Sequence, residues 1–220
     1  MKRTIILLAA ALTLTGCLSG IFKRDAITVN YYQIDYPEIA KACEKPFDLS
    51  LSFRRLTVNS AYDRSTLIYM NSDKSGGVYK YDEWLSSPDE LIFSMLQRDL
   101  EDGGVFKNLT SRTSGVLPDY SLQGTLVEVY ESRELLGAKA KAHAVMLFNL
   151  TRLDRGSRTS RVVLQKRYTA ESECASGDAD SYVQGVCKAI REISINLNKD
   201  IYEAVGEEEA RLKKEEQENK

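Results

Sequence analysis

Apolar and polar residues alternate most cleanly between residues 138 and 150, AKAKAHAVMLFNL. Ala138, Ala140, Ala142, Ala144, Met146, Phe148 and Leu150 take every even position. A period of two sends successive side chains to opposite faces of a strand. The intervening residues begin polar (Lys139, Lys141, His143) and end apolar (Val145, Leu147). The small alanines leave room for a helix to lie close. The same period marks 47–53, FDLSLSF, with Phe47, Leu49, Leu51 and Phe53 on one face. Shorter β-rich runs at 29–35 (VNYYQID), 65–70 (STLIYM) and 105–110 (VFKNLT) predict further strands. A Gly-containing turn at 71–77 joins 65–70 to 78–81 as a hairpin. In 120–132, YSLQGTLVEVYES, the apolar phase passes from Leu122 and Leu126 to Val127 and Val129. That switch predicts a bulge, or a strand covered on different faces along its length. A last strand, 160–170, follows the polar loop TRLDRGSRT, and such hairpin-like neighbours should be largely antiparallel.

Two segments change to helical spacing. In the first, Ser87 is a natural N-cap, Pro88 suits the first helical position and Glu90 completes a capping box. Leu91, Ile92, Met95, Leu96 and Leu100 form its apolar stripe, and Gly103 and Gly104 supply a left-handed stop. The second runs from about Asp180 to Val205, with Val183, Val186, Cys187, Ile190, Leu197 and Ile201 as its buried stripe. Gly206 should end it. Residues 206–220 are mostly charge and form an expected tail, either a helical extension or disordered. Strands followed by a helix, twice over, predict an α+β fold: an antiparallel or mixed sheet with two helices packed on one face, spanning 29–205.

The N-terminus has a pattern of its own. Lys2 and Arg3 precede an uncharged run, IILLAAALTL, at 5–14. A positive start, a short apolar core and small residues before a cleavage point make a secretory signal peptide, residues 1–16. The run falls well short of the ~20 residues of a membrane-spanning helix. Leu14, Thr15, Gly16 and Cys17 resemble a bacterial lipobox, in which the cysteine thiol is acylated and becomes the new N-terminus. Leu18 rather than Asp after the cysteine favours the outer membrane, with the body facing the periplasm. Residues 17–28 read as a lipidated tether that reaches roughly 35–40 Å when extended.

Charge and cysteine content narrow the remaining classes. The formal net charge is −2, and loss of the leader's Lys2 and Arg3 makes the mature chain more acidic, so nothing marks a nucleic-acid binder. With Cys17 acylated, Cys43, Cys174 and Cys187 remain. An exported chain permits a disulfide. Cys174–Cys187 is the first choice, Cys43 with either the second, and a plain buried thiol is the alternative for Cys187. His143 is the sole histidine; it lies mid-strand between lysines, on what reads as a solvated face, with no catalytic or metal motif around it. No phosphate-binding glycine loop occurs. These features argue for no enzyme, no metal and no cofactor. The aromatic residues are more suggestive: Tyr31, Tyr32, Tyr79, Tyr81 and Trp84 lie in or beside strands. Sheet packing is one reading. A partner-binding surface built on Tyr79, Tyr81 and Trp84 is the other.

The order of these segments carries a resemblance. Tyr31-Tyr32-Gln33-Ile34-Asp35, soon after a lipobox, resembles the opening of the ABC-type transport auxiliary lipoproteins, the PqiC/YmbA-like family. DRSTLIYMNSDKSGGVYKYDEW follows in the family's order, with Tyr69, Tyr81 and Trp84 at matching places. LIFSMLQRDLEDGGVFKNL and DYSLQGTLVEVYE come next. The sequence departs from the pattern at Met70, where the family often has Arg, and at Tyr130, where it often has Phe. The resemblance implies an accessory role beside an MCE-domain periplasmic protein and an ABC permease/ATPase complex that moves lipids or other hydrophobic molecules. The lipoprotein would be a docking partner without an ATPase, held to the membrane by its acyl chains, with a homo-oligomer left open. An envelope-assembly or cell-wall regulatory lipoprotein with a similar body is the alternative function.

Overall fold

A computed structural model describes residues 28–110, 117–134, 139–154 and 159–218. The expected signal peptide, lipobox, Cys17 and the tether up to residue 27 lie outside the described residues. Nine strands form one mixed sheet: β1 (Asn30–Tyr32), β2 (Phe47–Phe53), β3 (Thr57–Val58), β4 (Thr66–Asn71), β5 (Gly76–Trp84), β6 (Phe106–Leu109), β7 (Tyr120–Arg133), β8 (Lys139–Leu153) and β9 (Ser160–Ala175). Two helices accompany it among the described residues, α1 (Pro88–Asp102) and α2 (Ala179–Glu218).

The spine is β7. Along one edge it pairs antiparallel with β8, which pairs antiparallel with β9. The other edge is shared end to end by three parallel partners. Leu51 lies beside Tyr120, Thr57 beside Thr125 and Tyr69 beside Glu131. From this side two wings extend: β6 beside β2 at one end, and β5 followed by β1 at the other. Antiparallel pairing therefore holds for the hairpins β4/β5, β7/β8 and β8/β9. The other pairings are parallel, because each joins strands that are not consecutive in the chain and are linked by crossovers.

The phase switch in β7 is a bulge: pairing with β8 steps from Leu126↔Met146 to Glu128↔Val145, leaving Val127 over. One extra residue moves the apolar set to the other face without breaking the strand. The alanines of β8 receive α2 as expected. Ala140, Ala142 and Ala144 are buried, and a Cβ placed on Gly185 of α2 would sit 2.7 Å from the Ala142 Cβ. The core between sheet and helices is Leu51, Leu67, Leu122, Leu126, Met146 and Phe148 from the strands, against Ile92 and Leu96 of α1 and Ile190, Leu197 and Ile201 of α2.

Three local expectations change. The capping box does not close: Ser87 makes no side-chain cap bond, and the Glu90 carboxylate instead accepts from Ser86 and from Arg55 at 2.7 Å. Of the two stop glycines, Gly103 is still helical and only Gly104 is left-handed, at φ 66°. Gly206 does not end α2, which continues to Glu218. The last turns bury Val205 and Glu208. Glu208 meets Arg211 at 2.7 Å, and Glu209 accepts from Arg152 at 3.1 Å and from Tyr120 at 2.8 Å. These ionic contacts supply the anchoring face that the tail's own composition lacks.

Candidate functional site

The β4–β5–β7 end of the sheet, under the first turns of α2, gathers several of the singled-out residues. Glu131 on β7 is fully buried. Its carboxylate accepts the Tyr79 hydroxyl at 2.7 Å, Arg133 Nε at 2.6 Å and the Gly177 backbone N–H at 2.9 Å. The Arg133 guanidinium lies 3.7 Å over the Tyr69 ring, so its charge is met by a carboxylate on one side and π-density on another. Tyr182 of α2 stacks on Tyr79, centroids 6.2 Å apart and planes at 6°, and touches Trp84 at 6.1 Å. Burial, and the bond to Glu131 after it, pushes the Tyr79 phenol well up; burial does the same for Tyr182. The Cys174 thiol beside them is pushed up to about 11, by burial first and Glu131 second. None of these three groups is poised to exchange a proton near neutrality. The cluster fastens α2 to the sheet.

The three proposed partner-binding residues therefore separate. Trp84 is 2% exposed and belongs to the core. Tyr79 is half-buried and committed to Glu131. Tyr81 alone faces outward, 39% exposed. The cause is an irregularity in β5 that simple alternation does not reveal. Ile68 pairs with Val78 while Thr66 pairs with Glu83, so β5 holds extra residues against β4 and its faces exchange. Val78 then shares the outer face with Tyr81 and Leu85, and Tyr79 and Trp84 share the inner one.

The cysteines and the histidine also differ from expectation. Cys43, Cys174 and Cys187 are all free, and the expected Cys174–Cys187 bond is not formed in the structure. Cys174 faces Gly185, whose Cβ position is 3.6 Å from the Cys174 Cβ. Cys187, two residues further on, is turned roughly 200° around the helix and interacts with the backbone of Asp35. His143 is not solvated: its side chain is 13% exposed, lies 4.8 Å from the Tyr130 ring and is bracketed by Glu171 at 3.2 Å and Glu128 at 3.1 Å. Cross-strand carboxylates on β7 and β9 supply that bracket, and only the strand register brings them there.

Two features were not legible as sites. Asp99 of α1 is fully buried and accepts from Tyr36 at 2.8 Å, Ser194 at 2.6 Å and its neighbour Arg98 at 2.9 Å. Its partners lie 63 and 95 residues away, so no local motif marks it. A half-open groove of about 540 Å³ runs between α1 and the β2–β6 wing, lined by stacked Phe53 and Phe93, by Leu109 and by Arg54 and Arg55. Among the described residues, no group of three or more His, Cys, Asp or Glu side chains is arranged to hold a metal ion, and no helix is long and apolar enough to cross a membrane. The arrangement offers surfaces for contact, this groove and an exposed apolar edge on β5 among them.

Comparison with known proteins gives this body its relatives. A family model described as "ABC-type transport auxiliary lipoprotein component" matches residues 32–197. The crystal structure of a DUF330 protein from Xanthomonas campestris is similar with a TM-score of 0.71 and 14% identity, covering 83% of this chain and 99% of that one. A second crystal structure, of an uncharacterized protein, is similar with a TM-score of 0.57 and 15% identity, covering 79% of this chain and 99% of that one. At these identities the two structures speak for the fold alone. No curated protein matches in sequence. The family match covers most of the chain and coincides with the α+β body, and the chain belongs to the ABC-type transport auxiliary lipoprotein family.

Proposed function

We propose that this protein is the membrane-anchored docking subunit of an ABC/MCE-type system that moves lipids or other hydrophobic molecules through the cell envelope. The observation that carries the reading is the family match over residues 32–197, which follows the lipobox-like LTGC at 14–17. Membership makes the protein an auxiliary, envelope-associated component of an ABC-type transport system. Acylation of Cys17, attachment to the outer membrane and contact with an MCE-domain subunit are the finer steps proposed here. Two or three acyl chains would make attachment effectively permanent, since each buried CH₂ contributes about 0.8 kcal/mol. The body contributes shape: a sheet stiffened by a long helix.

Crosslinking in the intact envelope followed by purification of the lipoprotein tests the reading. Recovery of an MCE-domain protein with its permease or ATPase is expected. Recovery of a cell-wall synthase in their place, under conditions that retain known transporter complexes, overturns it.

A further inference from the structure

Large apolar side chains left open to solvent are few among the described residues, and four of them fall on or directly after β1 and β5. Tyr31 is 62% exposed, Leu85 61%, Val78 46% and Tyr81 39%. Tyr31 sits on β1, which pairs in parallel with β5 through Tyr31↔Glu83 and Tyr32↔Trp84, and the Leu85 N–H donates to the Tyr32 carbonyl at 2.6 Å. Tyr32 and Trp84 take the inner face of this pair. Tyr31, Tyr81 and Leu85 therefore take the outer one, and the β5 irregularity brings Val78 to the same side. The Lys80 ammonium lies 5.0 Å from the Tyr81 ring. Asp82 is engaged by Asn30 at 2.9 Å and by the Tyr32 hydroxyl at 3.3 Å. The surface is a small group of two phenols, two aliphatic side chains and an ammonium on the β1/β5 pair, with the Glu83 carboxylate placed beside Tyr31 by the register.

We infer that this β1/β5 edge rests on the bilayer that carries the acyl chains of Cys17. The contact presupposes the anchor proposed above and adds an orientation to it. Tyr31 follows Cys17 by so few residues that the intervening chain reaches at most about 50 Å and, as a flexible coil, spans roughly 20 Å. Any body so tethered meets its own membrane at an effective concentration on the order of millimolar, and a weak patch suffices there. The chemistry fits a bilayer boundary. Tyrosine favours the headgroup level, where ring and hydroxyl find separate surroundings. Lys80 can lay its stem on apolar surface while its ammonium stays in water. Leu85 and Val78 supply the apolar insertion. A stable protein interface needs roughly 20–30 residues a side, far more than this patch provides. The edge also solves a problem of its own, since an open strand with apolar side chains invites pairing with other chains.

Lipid-phase quenching reads the contact directly. The acylated full-length protein is placed in phosphatidylethanolamine/phosphatidylglycerol vesicles whose acyl chains carry bromine. Trp84 is the sole native tryptophan and is buried, so the wild type supplies the reference emission and quenching that are subtracted from each variant. Tyr81→Trp and, as a second probe, Leu85→Trp each add one indole to the patch. Leu117→Trp adds one at a site 70% exposed but outside it. The expected result is that both patch indoles lose most of their added emission and shift to the blue, while the Leu117→Trp indole does neither. Equal quenching at all three sites, or none at the patch, overturns the inference. Patch indoles shielded from aqueous acrylamide but untouched by bromolipid overturn it in favour of a protein partner or a second copy. Flotation of the same samples reports the Cys17 anchor separately: vesicle-bound protein with unquenched patch indoles retains the anchor and removes the orientation.

Discussion

Ser194 of α2 donates its hydroxyl to Asp99 of α1 at 2.6 Å, so the two helices share one fully buried carboxylate. Tyr36 donates to the same oxygen at 2.8 Å, and Arg98 donates to the other twice, from Nε at 3.1 Å and Nη2 at 2.9 Å. A buried charge is tolerable only when its lone pairs are met, and four donors from three segments meet this one. Ser194→Ala should cost about 1.5–3 kcal/mol, the worth of one bond to a charged acceptor. Asp99→Ala strands the hydroxyls and the guanidinium together and should cost about 3–5 kcal/mol. Urea unfolding of both variants checks the order. Equal losses would mean that the carboxylate is not the shared element.

Two glycines of α2 should respond oppositely to alanine. At Gly185 the new methyl would stand 2.7 Å from the Ala142 Cβ, so helix and strand must part. That overpacking costs about 1–3 kcal/mol. At Gly206 the nearest contact is Phe47 at 3.7 Å, an ordinary distance. There the gain in helix propensity stabilises by about 0.8–1 kcal/mol. Thermal melts of Gly185→Ala and Gly206→Ala should move in opposite directions.

Tyr182 is fully buried, yet its hydroxyl has no hydrogen-bond partner in the structure. Replacing a buried, unsatisfied polar group by hydrogen removes its desolvation cost, worth about 1–3 kcal/mol. Tyr182→Phe keeps the stack on Tyr79 and should raise the unfolding midpoint in urea without changing the slope. A lowered midpoint would show that the hydroxyl is engaged in solution.

The end of α2 should loosen in acid. Hydrogen bonds from Arg211 hold the Glu208 carboxyl below the usual carboxylate range, and its side chain is 7% exposed. A depressed folded pKa stabilises above the unfolded value, about 4.3 for Glu. That stabilisation is lost as pH falls through the folded value. Glu208→Gln removes the titration. The stability of the wild type should therefore fall more steeply than that of the variant as pH is lowered through and below the ordinary carboxylate range, read by chemical unfolding at fixed ionic strength.

Trp84 and Tyr81 should separate folding from contact. Trp84→Ala empties a core site and should cost about 3–5 kcal/mol. Tyr81→Ala, on the open face, should leave stability within about 0.5 kcal/mol. Circular dichroism melts give the first comparison, and envelope crosslinking of Tyr81→Ala reads any loss of contact without a folding defect.

The strands and helices were legible because their periods are local. The even positions of 138–150 and the stripe around Ile190 each declare a buried face within one window. The bulge at Val127 was legible for the same reason, as a change of phase. What escaped depends on residues distant in sequence. Tyr79 and Trp84 looked equivalent to Tyr81 until the pairing with β4 added residues to β5 and exchanged its faces. Cys174 and Cys187 lie close in sequence, but Cys174 on β9 faces Gly185 and the pitch of α2 turns Cys187 away from it. Asp99 and Glu131 were ordinary acids in the sequence. Their burial is set by Ser194, Tyr36, Tyr79 and Gly177, all 46 or more residues away in sequence. The helix past Gly206 was obscured because its anchoring partners, Arg152 and Arg161, belong to β8 and β9.

That continuation makes α2 a measuring rod. Its Tyr182 end is fastened beside Trp84, next to the strand where the chain enters the sheet. From there to Glu218 the helix runs about 54 Å at roughly 1.5 Å per residue. Ion pairs to β8 and β9 hold it against the sheet as far as Arg152 and Arg161. The distance between Tyr182 and Glu218 is thus fixed by backbone geometry, and inserting or deleting whole turns beyond Glu209 would change it in steps of about 5.4 Å.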